Sequence, residues 1–145
     1  MQQSIGTVLN LFISQKEQST RLEKTKVKLD TDGIVDDKFY AKDRERSILL
    51  TTQESYGLAL THNIEMPYGS LGENILIDYN PYALPRGSQI QIADVVLEIT
   101  QNCTICNHLS SIDKSLPILL KEDRGIFVKV IKSGVIEKGD KLYLL

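Results

Sequence analysis

Apolar residues recur along this chain in short runs rich in Ile, Val, Leu and Tyr, bounded by clusters of Gly, Asp and Asn. Runs of that length with alternating polarity are the signature of β-strands. Strands are expected at Ile5–Ser14, Thr25–Leu29, Arg46–Leu50, Glu73–Asp78, Gln89–Ile92, Val95–Thr100, Gly125–Lys132 and Lys141–Leu144. A set of short strands like this one suits a β-barrel or a β-sandwich.

Two segments break the pattern. After Leu50, the run Thr51-Thr52-Gln53-Glu54 fits a capping box, with the Thr51 side chain accepting from the N3 amide and Glu54 reaching back. Tyr56, Leu60 and Ile64 then recur at helical spacing, which predicts a helix of about three turns. The second segment, Ile112 to Lys121, carries Leu116, Leu119 and Leu120 on one side. Pro117 falls near its first turn, where a missing amide proton is tolerated. Residues 15–24 form the most polar tract and are expected as a mobile surface loop. Gly87–Asp94 and Gly134–Asp140 echo one another too briefly for a repeat, and both read as turns feeding a strand. No linker divides the chain, so residues 1–145 are expected to form a single domain.

Composition narrows the function. The 145 residues carry 17 Lys and Arg against 19 Asp and Glu, a net charge of −2, which argues against a polybasic nucleic-acid binder. No apolar run approaches the length of a membrane helix. Val8–Ile13 is short, contains Asn10 and lacks a basic flank, so no export signal is expected. Neither a Walker loop nor a paired-glycine dinucleotide loop is present. The two Cys are too few and too close for a secreted disulfide scaffold, and a reducing, cytoplasmic setting is expected.

Those two residues form Cys103-Thr104-Ile105-Cys106. A Cys-x-x-Cys pair supports dithiol exchange, metal ligation, or a single nucleophilic thiolate with an incidental neighbour. Dithiol exchange favours a helix N-terminus in an α/β setting, whereas Asn107-His108-Leu109-Ser110 is a poor helix start. A zinc site has Cys103, Cys106 and His108 locally, with His62 the one further His, so a fourth ligand must be distant or a carboxylate. Both Cys also fit a plain role as small buried side chains. Other polar groups stand beside glycines: Asp36 and Asp37 after Gly33, Glu73 and Asn74 after Gly72, and Arg124 before Gly125. Taken singly, each reads as a turn residue or a surface charge.

Taken in order, these pieces resemble one family, the molybdenum cofactor sulfurase C-terminal (MOSC) domain. The resemblance is carried by Gly33-Ile34-Val35-Asp36-Asp37-Lys38, Arg46-Ser47-Ile48-Leu49-Leu50 and Leu71-Gly72-Glu73-Asn74-Ile75-Leu76. It continues through Glu98-Ile99-Thr100-Gln101, Cys106, Arg124-Gly125-Ile126-Phe127-Val128-Lys129-Val130 and Ser133-Gly134-Val135-Ile136-Glu137-Lys138-Gly139-Asp140. Two positions depart from the family pattern: Asp36 stands where a glycine is usual, and Ile105 where a proline precedes the cysteine. Loss of that proline is expected to relax the loop that aims Cys106.

The resemblance implies a mostly β fold, a MOSC-type barrel with about two short helices. It also implies a molybdenum-cofactor-binding or sulfur-carrier domain, with Cys106 as the working thiol: a persulfide site or a ligand to the metal. Cys103 has no assignable counterpart. Arg46 and Arg124 would hold the anionic group of the cofactor by bidentate contacts. An electropositive neighbour, whether Arg46, Arg124 or His108, would favour the Cys106 thiolate. Glu73 and Asn74 would bond the pterin edge or orient the loop around it, and Asp37 matches the family's acidic position. Stand-alone relatives are regarded as molybdenum-cofactor-dependent reductases of N-hydroxylated compounds, so carrier and enzyme both stay open. The implied partners are a sulfur donor protein such as a cysteine desulfurase, and redox proteins, with neither nucleic acid nor membrane. Pyridoxal phosphate accompanies the family through fused sulfurase domains. A Schiff-base lysine is not identifiable here, so that cofactor is not expected on this chain.

Overall fold

Alternating burial along β7 (Gln89–Ile92), β8 (Val95–Asn102) and β9 (Ile126–Lys132) turns Ile90, Ile92, Val95, Leu97, Ile99, Ile126, Val128 and Val130 to one side. Burial of that face is what sets the register of these strands, since a one-residue slip would expose it. The computed structural model describes residues 3–15, 21–103, 112–121 and 123–145. Its remaining principal strands are β1 (Gly6–Ser14), β5 (Ile48–Thr52), β6 (Ile75–Ile77) and β11 (Lys141–Leu144). The order β11-β7-β8-β9-β5-β6-β1 closes on itself where Gly6 pairs with Leu142, giving a seven-stranded barrel. The choice between barrel and sandwich is thus settled as a barrel, which leaves no unpaired strand edge in the closed ring.

One pairing departs from the antiparallel rule. β5 and β6 run parallel, with Leu50 opposite Ile75 and Thr51 opposite Leu76. Parallel neighbours need a crossover rather than a hairpin, and helix α1 (Gln53–Thr61) with the segment to Asn74 supplies it. Both strands are buried throughout, because barrel core covers one face and the crossover covers much of the other. Ile48, Leu50, Ile75 and Ile77 point inward, whereas Leu76 joins Tyr56, Ala59, Ile64, Leu71, Leu116 and Leu120 in a second apolar cluster outside the barrel. A small sheet of β10 (Gly134–Glu137), β3 (Lys26–Asp30) and β4 (Gly33–Ile34) adds Val27, Leu29, Ile34 and Ile136 to the barrel core.

The structure corrects several sequence expectations. Thr52, not Thr51, caps α1, its side chain accepting from the Glu54 amide, because β5 runs on through Thr52. The helix stops at Thr61, so Leu60 faces solvent and Ile64 is buried from the loop beyond. The second helix, α2, is only Leu116–Leu119, with Pro117 in its first turn. Leu116 and Leu120 are buried and Leu119 packs beside them, as the pattern implied. Within the polar tract, Arg21–Lys24 forms β2, paired antiparallel with the far end of β1 from Leu11 to Ser14. The long β1 offers its edge as a template, and backbone pairing there does not require apolar side chains. Gly134–Glu137 is itself a strand before the turn into β11. Among the described residues no helix is long and apolar enough to cross a membrane.

Leu50 sits fully buried in β5, between β6 and β9. Leu50→Ala is expected to cost about 2–5 kcal/mol of stability, measured as a lowered urea midpoint with an unchanged slope; a loss within about 0.5 kcal/mol would show that the barrel interior is not the main core.

Candidate functional site

The outer face of β5 carries Leu49 and Thr51, and the elements around it are drawn in by hydrogen bonds to that strand. Asn74 does most of this. Its amide donates to the Leu49 carbonyl (2.9 Å), and its side-chain Oδ1 accepts from the Leu49 amide (3.0 Å). The Nδ2 group then donates to the Phe12 carbonyl (3.2 Å) and to Asp37 Oδ1 (3.3 Å). A single side chain therefore ties β5 to β1 and to the turn after β4. Asp37 also accepts from the Ser14 amide (2.6 Å) through Oδ1 and from the Phe39 amide (3.0 Å) through Oδ2. Asp36 adopts φ 75°. That left-handed position explains a glycine preference, and Asp is among the few other residues that tolerate it.

A turn from Gly69 to Glu73 stands beside this node. Glu73 is fully buried, and its Oε2 accepts from the Tyr56 hydroxyl (2.5 Å) and the Gly69 amide (3.1 Å). The Tyr56 oxygen in turn accepts from the amides of Gly69 (3.0 Å) and Leu71 (3.2 Å). With its back held in this way, the turn presents its carbonyls outward. Arg21 Nη1 donates to the Glu73 carbonyl (3.3 Å), and Arg124 Nε to the Leu71 carbonyl (3.3 Å). Gly72, at φ 88°, lies between the two guanidiniums: a Cβ there would be 3.5 Å from Arg21 Nη2 and 3.6 Å from Arg124 Nη2.

Arg124 is anchored by its own backbone as well, since its carbonyl accepts from Thr51 Oγ1 (2.9 Å). The next residue must be small. A Cβ on Gly125 would meet Leu49 Cδ1 and Thr51 Oγ1 at 2.8 Å, so glycine lets this segment lie directly on β5. The Gly125 carbonyl accepts from the Cys103 amide (3.0 Å), which sets buried Cys103 beside Arg124.

Together these groups surround a cavity of about 370 Å³. Leu49, Gly72 and Asn74 contribute to its wall, with Ser47 and Cys103. Four cationic side chains line it, Arg21, Lys42, Arg46 and Arg124, against one carboxylate, Asp43. Phe39 and Phe127 supply apolar surface, and the Arg46 guanidinium lies 5.2 Å from the Phe127 ring centre. Among the described residues the ion pairs join Arg44 to Asp32, Arg86 to Glu45, Lys129 to Glu45 and Glu98, and Lys138 to Glu23. None uses a cation of the cavity. Arg124 is only 8 % exposed, and a guanidinium so enclosed without a carboxylate partner favours an anionic ligand.

The electrostatics behind the cavity are strained. Burial holds the Arg21 guanidinium below its ordinary value, opposed by the charges of Asp37 and Glu73 and reinforced by Arg124. Burial pushes the Glu73 carboxyl up, opposed by its bonds to Tyr56 and Gly69 and by the charge of Arg21. Burial and the neighbouring Glu73 push the Tyr56 hydroxyl up as well. Among the described residues Glu73 Oε1 has no hydrogen-bond partner.

Of the residues singled out in the sequence, Arg46, Asn74 and Arg124 line the cavity, while Asp37 and Glu73 stand behind it. Cys106 and His108 lie outside the described residues. His62 is exposed at the C-terminal cap of α1 and is not a wall of the cavity. Among the described residues no cluster of three or more His, Cys, Asp or Glu is arranged for a metal ion. Cys103, raised in the sequence as a thiol or zinc-ligand candidate, also lines the cavity, whereas sequence reasoning gave no role to Arg21, Lys42, Phe39 or Phe127. Arg21 lay in a polar tract without periodicity, and only its pairing with β1 brings it here. A signal did exist for Gly72, whose neighbours Glu73 and Asn74 were noted.

The family model for the MOSC domain matches residues 36–143. The crystal structure of the YuaD protein from Bacillus subtilis superposes with a TM-score of 0.84 at 18 % identity, covering 99 % of this chain and 98 % of that one. YiiM from Escherichia coli gives 0.73 at 14 % identity over 96 % of this chain and 69 % of that one. YiiM from Geobacillus stearothermophilus gives 0.71 at 15 % identity over 100 % and 75 %. At such identities the likeness is one of fold. No curated protein matches the sequence.

The raised Glu73 carboxyl sets a pH dependence for folding. The native state binds its proton more tightly than the unfolded chain, whose value is near 4.5. The stabilisation is thus complete below that value and is lost as pH rises through the native one. Unfolding followed from pH 4.5 upward should show a decline in the wild type that Glu73→Gln flattens; parallel profiles would assign the decline to another group.

Proposed function

This chain belongs to the MOSC domain family, and from that premise we propose that its cavity binds the molybdenum cofactor, a pterin bearing a phosphate, and presents a cysteine thiol to it. The observation that carries the reading is the Arg21–Arg124 pair: two guanidiniums converging on Gly72 in a cavity, with no carboxylate bound to either among the described residues. Such a pair suits a phosphate, which accepts paired N–H donors from planar guanidinium groups. A pterin is a flat, hydrogen-bonding ring, and the flanking Phe39 and Phe127 offer it apolar surface.

In this reading Arg21 and Arg124 hold the anionic group, while Arg46 and Lys42, exposed at the mouth, guide it in by long-range attraction. Both Nδ2 protons of Asn74 are engaged, so its role is to fix the wall rather than to donate to the ligand. Cys106, the residue that matches the family cysteine, is the proposed working thiol, as carrier of a sulfur atom or as ligand to the metal. Cationic surroundings favour a thiolate, the form that binds soft metals and accepts sulfur. When bound, the cofactor supplies a metal centre able to change oxidation state. A sulfur donor protein and an electron donor are the partners this chemistry calls for.

The test is metal, pterin and cyanolysable sulfur in the full chain purified from a host that makes the cofactor. Wild type should carry them near stoichiometry. A charge-assisted hydrogen bond contributes about 1.5–3 kcal/mol, so Arg21→Ala or Arg124→Ala should weaken retention of pterin about tenfold or more. Cys106→Ala should lose the labile sulfur. Equal contents in wild type and all three variants would refute the assignment.

A further inference from the structure

The carboxyl of Glu73 lies on the opposite side of the Gly69–Glu73 turn from the cavity, with the guanidiniums of Arg21 and Arg124 held by the turn's own carbonyls. It is fully buried, and one of its oxygens lacks a partner among the described residues. A carboxylate in that position is expensive unless positive charge stands near, and the Arg21 guanidinium is the positive charge it feels. We infer that Glu73 is an internal counter-charge to Arg21, and that an anion docking on the Arg21–Arg124 pair displaces it from that role, so that Glu73 takes up a proton as the anion binds.

Three observations support this. First, attraction between Arg21 and Glu73 is felt by both groups. Second, Arg21 is bonded to the Glu73 backbone carbonyl, so an anion docking on Arg21 adds negative charge next to the residue that carries this desolvated carboxylate, where repulsion is poorly screened. Third, the neighbouring groups leave Glu73 as the acceptor. From α1 it faces Tyr56, whose ring packs edge-on against Tyr68. From β2 comes Arg21, and Tyr82 feels its charge from the loop after β6, while Arg124 acts on Arg21. Asp37 lies beyond Asn74 and attracts Arg21 more strongly than Glu73 does. Its carboxylate, however, is held by three donors, Ser14, Phe39 and Asn74, whereas Glu73 has an empty oxygen able to carry a proton.

The inference deepens the anion-binding reading and rests on it. Glu73 is a positioning residue in this scheme: it fixes the turn that aims both guanidiniums, and its protonation removes the competing charge.

Sulfate is a suitable probe, because its own charge is constant above pH 3. The full chain, produced in a host that does not make the cofactor, is titrated with sodium sulfate at constant ionic strength. Calorimetry at each pH uses buffers of different ionisation enthalpy. Wild type should take up a proton with sulfate, and its affinity should fall as pH rises, by up to about tenfold per unit while Glu73 titrates. Glu73→Gln should bind sulfate without proton uptake and with a flat profile. Tyr56→Phe, which removes a donor to the carboxylate, should move the wild-type profile to higher pH. In 13C spectra of glutamate-labelled protein, one buried carboxyl resonance should shift toward the protonated form on adding sulfate. Sulfate binding without proton uptake, or uptake that persists in Glu73→Gln, overturns the inference and leaves the anion site standing. Failure of wild type to bind sulfate overturns both.

Discussion

A parallel pair of strands cannot be joined by a hairpin, and the rest of this molecule is arranged around the one parallel pair in its barrel, β5 and β6. The chain must leave the barrel after Thr52, travel back along its outside and re-enter at Ile75. Helix α1 makes the return journey, and its apolar side closes over Leu76 with α2. The remaining length, from His62 to Asn74, is too long for a tight connection, and its end, at Gly72 and Asn74, becomes one wall of the cavity. Burial of β5 and β6 on both faces follows from the same crossover, which is why these strands are continuously buried where β7 and β8 alternate.

The site inherits its chemistry from that wall. A re-entering segment has backbone groups that no sheet satisfies, and side chains meet them: Glu73 and Tyr56 take the amides of Gly69 and Leu71, while the segment's Asn74 bonds back to Leu49 of β5 and Phe12 of β1. The carbonyls left over face the other way and hold two guanidiniums. Negative charge therefore lies behind the turn and positive charge in front, with Gly72 keeping the separation thin. The buried acid and the cationic cavity are two faces of one turn.

Much of the barrel was legible in the residues. The alternation in Gln89–Ile92 and Val95–Thr100 places strands β7 and β8 closely, and the Leu116 and Leu120 spacing correctly marks a buried edge of α2. Local chemistry was harder to assign. Thr51 and Thr52 both offer a hydroxyl before Glu54, and the cap fell to Thr52 because β5 runs on through it, while the Thr51 hydroxyl donates to the Arg124 carbonyl. Cys103 carries no pattern that separates a wall of the cavity from an ordinary buried thiol. Only the bond from its amide to Gly125 brings it beside Arg124.

The sequence by itself determined the class of fold, most of the strands, and the ordered motifs by which the chain is placed in its family, because alternation and turn residues act over a few neighbouring positions. Tertiary structure alone decided that β5 and β6 are parallel, that polar Arg21–Lys24 is a strand, and that Arg21 and Arg124 converge on Gly72. Those facts depend on pairing between segments distant in the chain, where an arginine of a polar tract looks the same whether it ends in solvent or beside a second guanidinium.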